Sequence, residues 1–253
     1  MVNALEFRDV TVEYDHHGTR LTAVESLDLK LKPNEVLGVL GPSGCGKSTM
    51  VHLAAGFIAP SRGEVLVSGQ KVRCPGADRG VVFQNQNLFP WKTVRQNVEF
   101  GLRMRGIDQD ERCQRAKTLL QRVGLAAFAD SYPAKLSLGM QQRVGLARAF
   151  ATDPTILLMD EPFSSLDAQN AVSMRRLLEE LNAASRKSIF FVTHDVDEAL
   201  LVAERIVILS SRPGKVLTEL DIDLPRPREE RLRTLSRFGE LRNRITDLLL
   251  TTH

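Results

Sequence analysis

The residues GPSGCGKST at 41–49 constrain this chain more than any other stretch. They fit G-x-x-x-x-G-K-[ST], with Gly41, Gly46, Lys47 and Ser48 in register. Ahead of them, EVLGVL (35–40) is almost continuously apolar and reads as a buried strand of a parallel sheet. Behind them a helical stretch begins. Glycines in such a loop let successive backbone N–H groups curve around phosphate oxygens, and the helix N-terminus adds partial positive charge. The run from Gly41 through Pro42, Ser43, Gly44, Cys45, Gly46, Lys47 and Ser48 to Thr49 is therefore expected to cradle a nucleotide. Lys47 should reach the β and γ phosphates, and the Ser48 hydroxyl should bind Mg²⁺. Cys45 occupies a free position of the motif and is given no chemistry of its own. The motif specifies nucleotide binding without separating ATPase, GTPase and kinase.

A second signal lies more than a hundred residues downstream. ILLMDEP (156–162) sets two carboxylates at the end of an apolar run. An acid at the end of a buried strand is costly without compensation, and a bound Mg²⁺ would compensate Asp160. Neighbouring side chains of a strand point to opposite sides, so the two acids can do different jobs. Asp160 is assigned to the metal, and Glu161 to the attacking water as general base or orienting group.

The remaining pattern is that of an α/β chain. Residues 5–14 and 27–31 alternate apolar and polar, and the first run changes phase near Asp9, which predicts a bulge or two short strands. Further strands are expected at 63–69, 80–84, 155–160, 188–194 and 205–209. Between them 92–152 carries helical spacing, with Ala116, Leu119, Leu120 and Val123 on one face. Met174, Leu177, Leu178 and Leu181 mark another helix. After LPRPR (224–228), one last helix is expected to carry Leu232, Leu235, Phe238, Leu241, Ile245 and Leu248 on one side, docked on the core. The later strands should rejoin the first sheet.

Composition narrows the partners. A net charge of +3, from 34 basic against 31 acidic residues, gives no bulk attraction for nucleic acid or an anionic membrane. Three cysteines without a CxxC pair give no disulfide framework and suit a reducing cytoplasm. The five histidines (His16, His17, His52, His194, His253) show no metal-ligand spacing. No secretory signal opens the sequence, and no uncharged apolar run reaches the roughly 18 to 20 residues of a membrane span. Service to a membrane process would come from the cytoplasmic side, through a partner.

With these motifs in order, the chain resembles the nucleotide-binding subunits of ABC transporters over nearly its whole length. LSLGMQQR (136–143) is similar to the signature that precedes the acidic strand, and SSLD (164–167) to the D-loop that follows it. His194, closing SIFFVTH, resembles the switch histidine that donates to the γ-phosphate. Gln84, in VVFQ, resembles the glutamine that touches Mg²⁺ or water at the junction with the helical subdomain. Tyr14 resembles the aromatic residue that stacks on adenine. The implied fold is a P-loop NTPase core (1–86 and 155–223) with an antiparallel β subdomain, an inserted helical subdomain (87–154) and a helical tail (224–253). The implied assembly is a head-to-tail dimer in which Ser137 and Gly139 meet the γ-phosphate of ATP on the opposite copy, with Ser137 capping the signature helix. Leu138 stands where glycine is usual, and Met140 where glutamine is usual. Were φ positive at 138, leucine would cost about 1 to 2 kcal/mol. The departure bears on the hydrolysis rate rather than on the fold.

PWKTVRQNV (90–98), SSRPGKV (210–216) and LPRPR resemble importers of the nitrate, sulfonate, taurine and bicarbonate group. That resemblance implies a separate integral membrane permease subunit and a periplasmic solute-binding protein. Phe89, Pro90 and Trp91 are then either an apolar anchor for the permease or local packing of the insert. Two rivals remain at this stage. A soluble cassette acting on DNA or ribosomes would bring a long coiled coil or two cassettes, and the chain shows neither heptads nor a second cassette. A scaffold that binds ATP without turnover is opposed by Glu161.

Overall fold

The computed structural model describes residues 2–16, 19–85 and 87–251, so His17 and His253 lie outside the described residues. In chain order the first strands are β1 (Leu5–His16), β2 (Thr19–Leu31) and β3 (Val36–Leu40), followed by helix α1 (Lys47–Ala55). Next come β4 (Arg62–Val67), β5 (Gln70–Lys71) and β6 (Arg79–Val82). Helices α2 (Val94–Met104), α3 (Gln109–Arg122) and α4 (Leu138–Ala151) lead to β7 (Ile156–Asp160). The chain closes with α5 (Ala168–Ser185), β8 (Ser188–Thr193), α6 (Val196–Val202), β9 (Arg205–Leu209), β10 (Val216–Asp221) and α7 (Ser236–Leu250). Packing divides it into two units, Met1–Gly76 with Leu158–Glu161 and Lys187–His253, and Ala77–Leu157 with Pro162–Arg186.

The first unit holds two sheets. One is antiparallel, in the order β2-β1-β4-β5. Its register slips between Phe7 and Val10, where Asp9 has φ 45°. The phase change read near Asp9 is thus a bulge within one continuous strand. Arg62 holds the bulge by pairing with the Asp9 carboxylate at 2.6 Å. The other sheet runs β10-β9-β3-β8-β7, with β3 parallel to both β8 and β9. Every residue of β3, β8 and β9 is buried, which is why these segments are mostly continuous apolar runs rather than alternating, with Ser188, Thr193 and Arg205 at strand ends. The later strands join β3, whereas β1, β2 and β4 form the separate sheet. All parallel strands of β3 and β8 end on the side where residues 41 and 194 begin their loops, which positions the site.

A buried ion pair ties the strands together. Arg205 donates to both Glu35 oxygens, at 2.8 and 3.0 Å, and also pairs with Glu219. Burial alone would raise the Glu35 pKa, but the Arg205 hydrogen bonds and the Lys32 backbone N–H outweigh it and hold the carboxyl below its ordinary value. A carboxyl with a depressed folded-state pKa contributes stability above its unfolded pKa and loses it as pH falls through the folded one. Arg205→Leu is therefore expected to cost about 3 kcal/mol at neutral pH, by stranding Glu35. Thermal melts should show that penalty shrinking as pH falls toward and through the depressed pKa of Glu35, where the parent loses the pair as well.

The tail is docked, but not as one helix. Leu232 lies in a 3-10 turn over Glu230–Thr234, Leu235 is exposed, and α7 starts at Ser236. Phe238, Leu241 and Ile245 are buried, each worth roughly 2 kcal/mol of apolar burial. Asp197 of α6 pairs with Arg233 at 3.1 Å and Arg242 at 2.9 Å. Buried Arg228 donates to the carbonyls of Leu200, Ala203 and Ile222.

The second unit is mostly helical, with β6 lying against the start of β7. Its helices begin at side-chain caps. Thr93 and Gln96 form a reciprocal capping box on α2, and Asp108, Ser137 and Asp167 cap α3, α4 and α5. Ala116, Leu120 and Val123 are buried as the helical spacing predicts while Leu119 is half-buried, and Met174, Leu177, Leu178 and Leu181 are buried. Buried Asn97 fixes the loop before α2. Its amide donates to the carbonyls of Phe89, Lys92 and Thr93, and its oxygen accepts from the Phe89 N–H at 2.8 Å. The Phe89 ring packs on Phe100, with centroids 4.6 Å apart, while Trp91 is 71% exposed.

Candidate nucleotide site

The loop between β3 and α1 has the backbone a phosphate cradle requires. Gly44 and Gly46 have φ of 80° and 99°, values that favour glycine. A Cβ at Gly46 would lie 2.6 Å from Val24 Cγ1 and 2.9 Å from the Ala23 carbonyl. Gly41 is confined differently, since a Cβ there would meet Cys45 Sγ at 2.6 Å. The Cys45 side chain is buried within the loop. Pro42 is half-buried, and Ser43 and Gly44 are exposed at the mouth. No side chain caps α1, and its first turn carries no acid. Its leading N–H groups are left to an anion, reinforced by the helix dipole.

Lys47 is the first residue of α1 and is 6% exposed. Its Nζ donates to the carbonyls of Gly41 at 2.7 Å and Pro42 at 3.0 Å, so the ammonium is held over the loop rather than in solvent. Ser48 Oγ donates to Asp160 Oδ1 at 3.0 Å. Burial pushes the Asp160 carboxyl above its ordinary pKa, and the Ser48 hydrogen bond only partly offsets this. A hydroxyl and a desolvated carboxylate side by side are oxygen donors of the kind a hard divalent cation takes.

Glu161 follows the last residue of β7. Its φ is 45°, an uncommon conformation for a non-glycine residue, fixed by its N–H donating to the Val192 carbonyl at 3.0 Å. Its Oε1 lies 3.1 Å from His194 Nδ1. His194 sits in the turn from β8 to α6, where Thr193 Oγ1 accepts from the Asp195 N–H and donates to Glu198, and Asp195 caps α6. The Tyr14 hydroxyl lies 3.4 Å from Thr49 Oγ1, bringing the aromatic residue of β1 to the start of α1. The first unit thus gathers Tyr14, the cradle, Asp160, Glu161 and His194.

The other expected residues belong to the second unit. Gln84 Nε2 donates to Ser164 Oγ at 3.3 Å, linking the end of β6 to SSLD. Gln142, on the signature helix, donates to Ser165 Oγ at 2.8 Å. Ser137 caps α4 and accepts from the Met140 N–H. Leu138 is the first helical residue, is not among the positive-φ residues and is 46% exposed, so the left-handed strain considered for it does not arise. A Cβ at Gly139 would stand 3.2 Å from Asn170 Oδ1. Sequence reasoning missed the contacts of Ala23, Val24 and Gly214 with the cradle. The glycine in SSRPGKV was the available signal.

Residues 24–164 match the ABC transporter family. An uncharacterised ABC transporter ATP-binding protein of Methanocaldococcus jannaschii is 46% identical over 97% of this chain and 91% of its own. A nitrate import ATP-binding protein of Synechocystis is 45% identical, over 87% of this chain and 83% of its own. A taurine import ATP-binding protein of Burkholderia pseudomallei is 47% identical, over 87% and 84%. Among solved structures, a dimeric ATP-binding cassette in a post-hydrolysis state with ADP and Pi aligns with a TM-score of 0.77 at 33% identity, covering 87% of this chain and 100% of that one. The phosphate loop and the acidic strand end thus recur in a chain that matches ATP-hydrolysing cassettes over most of its length, and it belongs to the ABC transporter family as an ATP-binding, ATP-hydrolysing subunit.

Proposed function

We propose that this cassette hydrolyses MgATP at the cradle of a head-to-tail dimer and thereby drives a membrane importer for nitrate, a sulfonate, taurine or a similar small solute. The observation that carries the reading is the Lys47 ammonium, buried and aimed across an uncapped helix N-terminus beside the Ser48–Asp160 pair. The N–H groups from Gly44 to Thr49 bind the phosphates, and Lys47 exchanges its carbonyl partners for β and γ oxygens. Bound Mg²⁺ would supply neutralisation of the transferring phosphoryl group, held by Ser48 and Asp160. Glu161 takes the proton of the attacking water, and His194 orients Glu161 and donates to the γ-phosphate. Tyr14 stacks on the adenine. Ser137 and Gly139 serve the ATP of the opposite copy, which makes closure of the dimer a condition of hydrolysis.

Among the described residues no helix is long and apolar enough to cross a membrane. The importer's channel therefore falls to a separate permease, with the cassette bound at the cytoplasmic face of the inner membrane and a periplasmic binding protein delivering the solute. The names of the nitrate and taurine relatives support that solute class. Trp91 supports the docking site. The Phe89 ring packs against both Phe100 and Trp91, with centroids 4.6 and 5.7 Å apart, and the Trp91 indole, still 71% exposed, is the anchor for the permease. Trp91→Ala is expected to cut recovery of the membrane subunit by about tenfold on affinity purification. ATPase activity of the isolated cassette should hold. Undiminished recovery would return Trp91 to local packing. Identifying that subunit and measuring ATP-driven uptake of nitrate, sulfonates and taurine into vesicles carrying the purified complex tests the whole reading. ATP hydrolysis without uptake of any of them would remove the solute assignment.

A further inference from the structure

SSRPGKV, so far only a likeness to one importer group, lies against the phosphate loop. It follows β9, whose last residue, Leu209, would stand 3.2 Å from a Cβ at Gly41. Arg212 Nε donates to the Gly44 carbonyl at 3.2 Å. Gly214 comes closer still, since a Cβ there would sit 2.0 Å from the Cys45 carbonyl oxygen. The segment is itself fastened. Gly214 N–H donates to Ala23 and its carbonyl accepts from the Glu25 N–H, at 2.9 and 3.1 Å. Lys215 pairs with Glu25 at 3.0 Å, and Ser210 Oγ closes the turn by donating to the Pro213 carbonyl at 2.8 Å. The same stretch of β2, Ala23 and Val24, confines Gly46. The loop is therefore walled by β2 at Gly46 and by 212–214 at Gly44 and Cys45.

A phosphate loop works by aiming its N–H groups inward, which turns carbonyls outward, where they need partners. Gly44 is left-handed and carries no side chain to steer it, so its peptide orientation depends on what its carbonyl meets. We propose that Arg212 is a positioning residue for MgATP. Its N–H fixes the Gly44 peptide, while Gly214 admits the segment to the distance that this requires. The proposal rests on the cradle being the ATP site. Arg212 is exposed and pairs with no carboxylate among the described residues, so its replacement leaves the core intact.

The test uses the full chain, a fluorescent ATP analogue with Mg²⁺, and steady-state ATPase kinetics. Arg212→Leu should raise the analogue Kd and the KM for ATP about fivefold, with kcat within about twofold and an unchanged melting temperature. Arg212→Gln places an amide nitrogen where Nε stood, without the charge, and should stay within about twofold of the parent Kd. Gly214→Ala should weaken binding by at least about tenfold. Wild-type affinity for Arg212→Leu would overturn the proposal, and so would equal losses for Leu and Gln, which would mean that charge alone matters. If Lys47→Ala also bound the analogue normally, the nucleotide would not occupy this loop, and both readings would fall.

Discussion

Lys47→Ala is expected to lower MgATP affinity by at least about a hundredfold while leaving the fold in place. Each hydrogen bond from a charged donor is worth about 1.5 to 3 kcal/mol, and the ammonium is positioned to make one to each of two phosphates. Together these amount to about 3 to 6 kcal/mol, or about two to four decades in Kd. The replacement also removes the donor of the Gly41 and Pro42 carbonyls, whose lone pairs would then face the incoming phosphates. Stability should change little, because Nζ bonds only to loop carbonyls and alanine is a good helix former at the start of α1. Isothermal titration reads the affinity directly. A second readout is the melting temperature with nucleotide in excess, which should rise for the parent and stay still for the variant. Binding within threefold of the parent would show that the phosphates lie elsewhere.

Much of the site was legible because its parts are backbone requirements that leave residue signatures. Glycine at 44 and 46 marks positive φ, and β3 announces itself as buried by being apolar at every position. The DE pair at the end of β7 carried its own cost, and Asp160 lies against Ser48, which offsets that cost only in part. Other features had weaker signals. The upstream half of β2 and all of β10 were not foreseen, since β10 is partly exposed and its alternation spans only six residues. The tail was foreseen as docked but drawn as one helix, because an apolar spacing continues through Leu232 and Leu235 although the backbone there forms a separate 3-10 turn. The contact of Gly214 with the loop was beyond periodicity altogether. It joins residues about 170 positions apart, and only the register of β2, β3 and β9 brings them together. At Leu138 the sequence left the backbone open, with a cost only for a left-handed residue, and the backbone there is the first turn of a capped helix.

Glu161→Gln is expected to bind MgATP like the parent and to lose about three decades of turnover, the range over which a positioned general base contributes. The substitution isolates basicity from shape. The side chain keeps its size, and its amide oxygen can still meet His194 Nδ1 where Oε1 stands at 3.1 Å. The backbone is held by the hydrogen bond to Val192, which does not depend on the side chain. That bond keeps residue 161 at φ 45°, so a strained position is maintained by the scaffold. A role in orientation alone would survive the exchange to glutamine, and a role as base would not. With ATP bound and hydrolysis stalled, the closed pair should accumulate, so gel filtration with MgATP should move the variant to the dimer position while the parent stays mostly monomeric. His194→Ala then separates the two partners. It removes the group that orients Glu161 but spares the base, and should cost less than the glutamine exchange. Turnover of Glu161→Gln within tenfold of the parent would take Glu161 out of the chemistry and leave its contact with His194 as a purely structural link between the ends of β7 and β8.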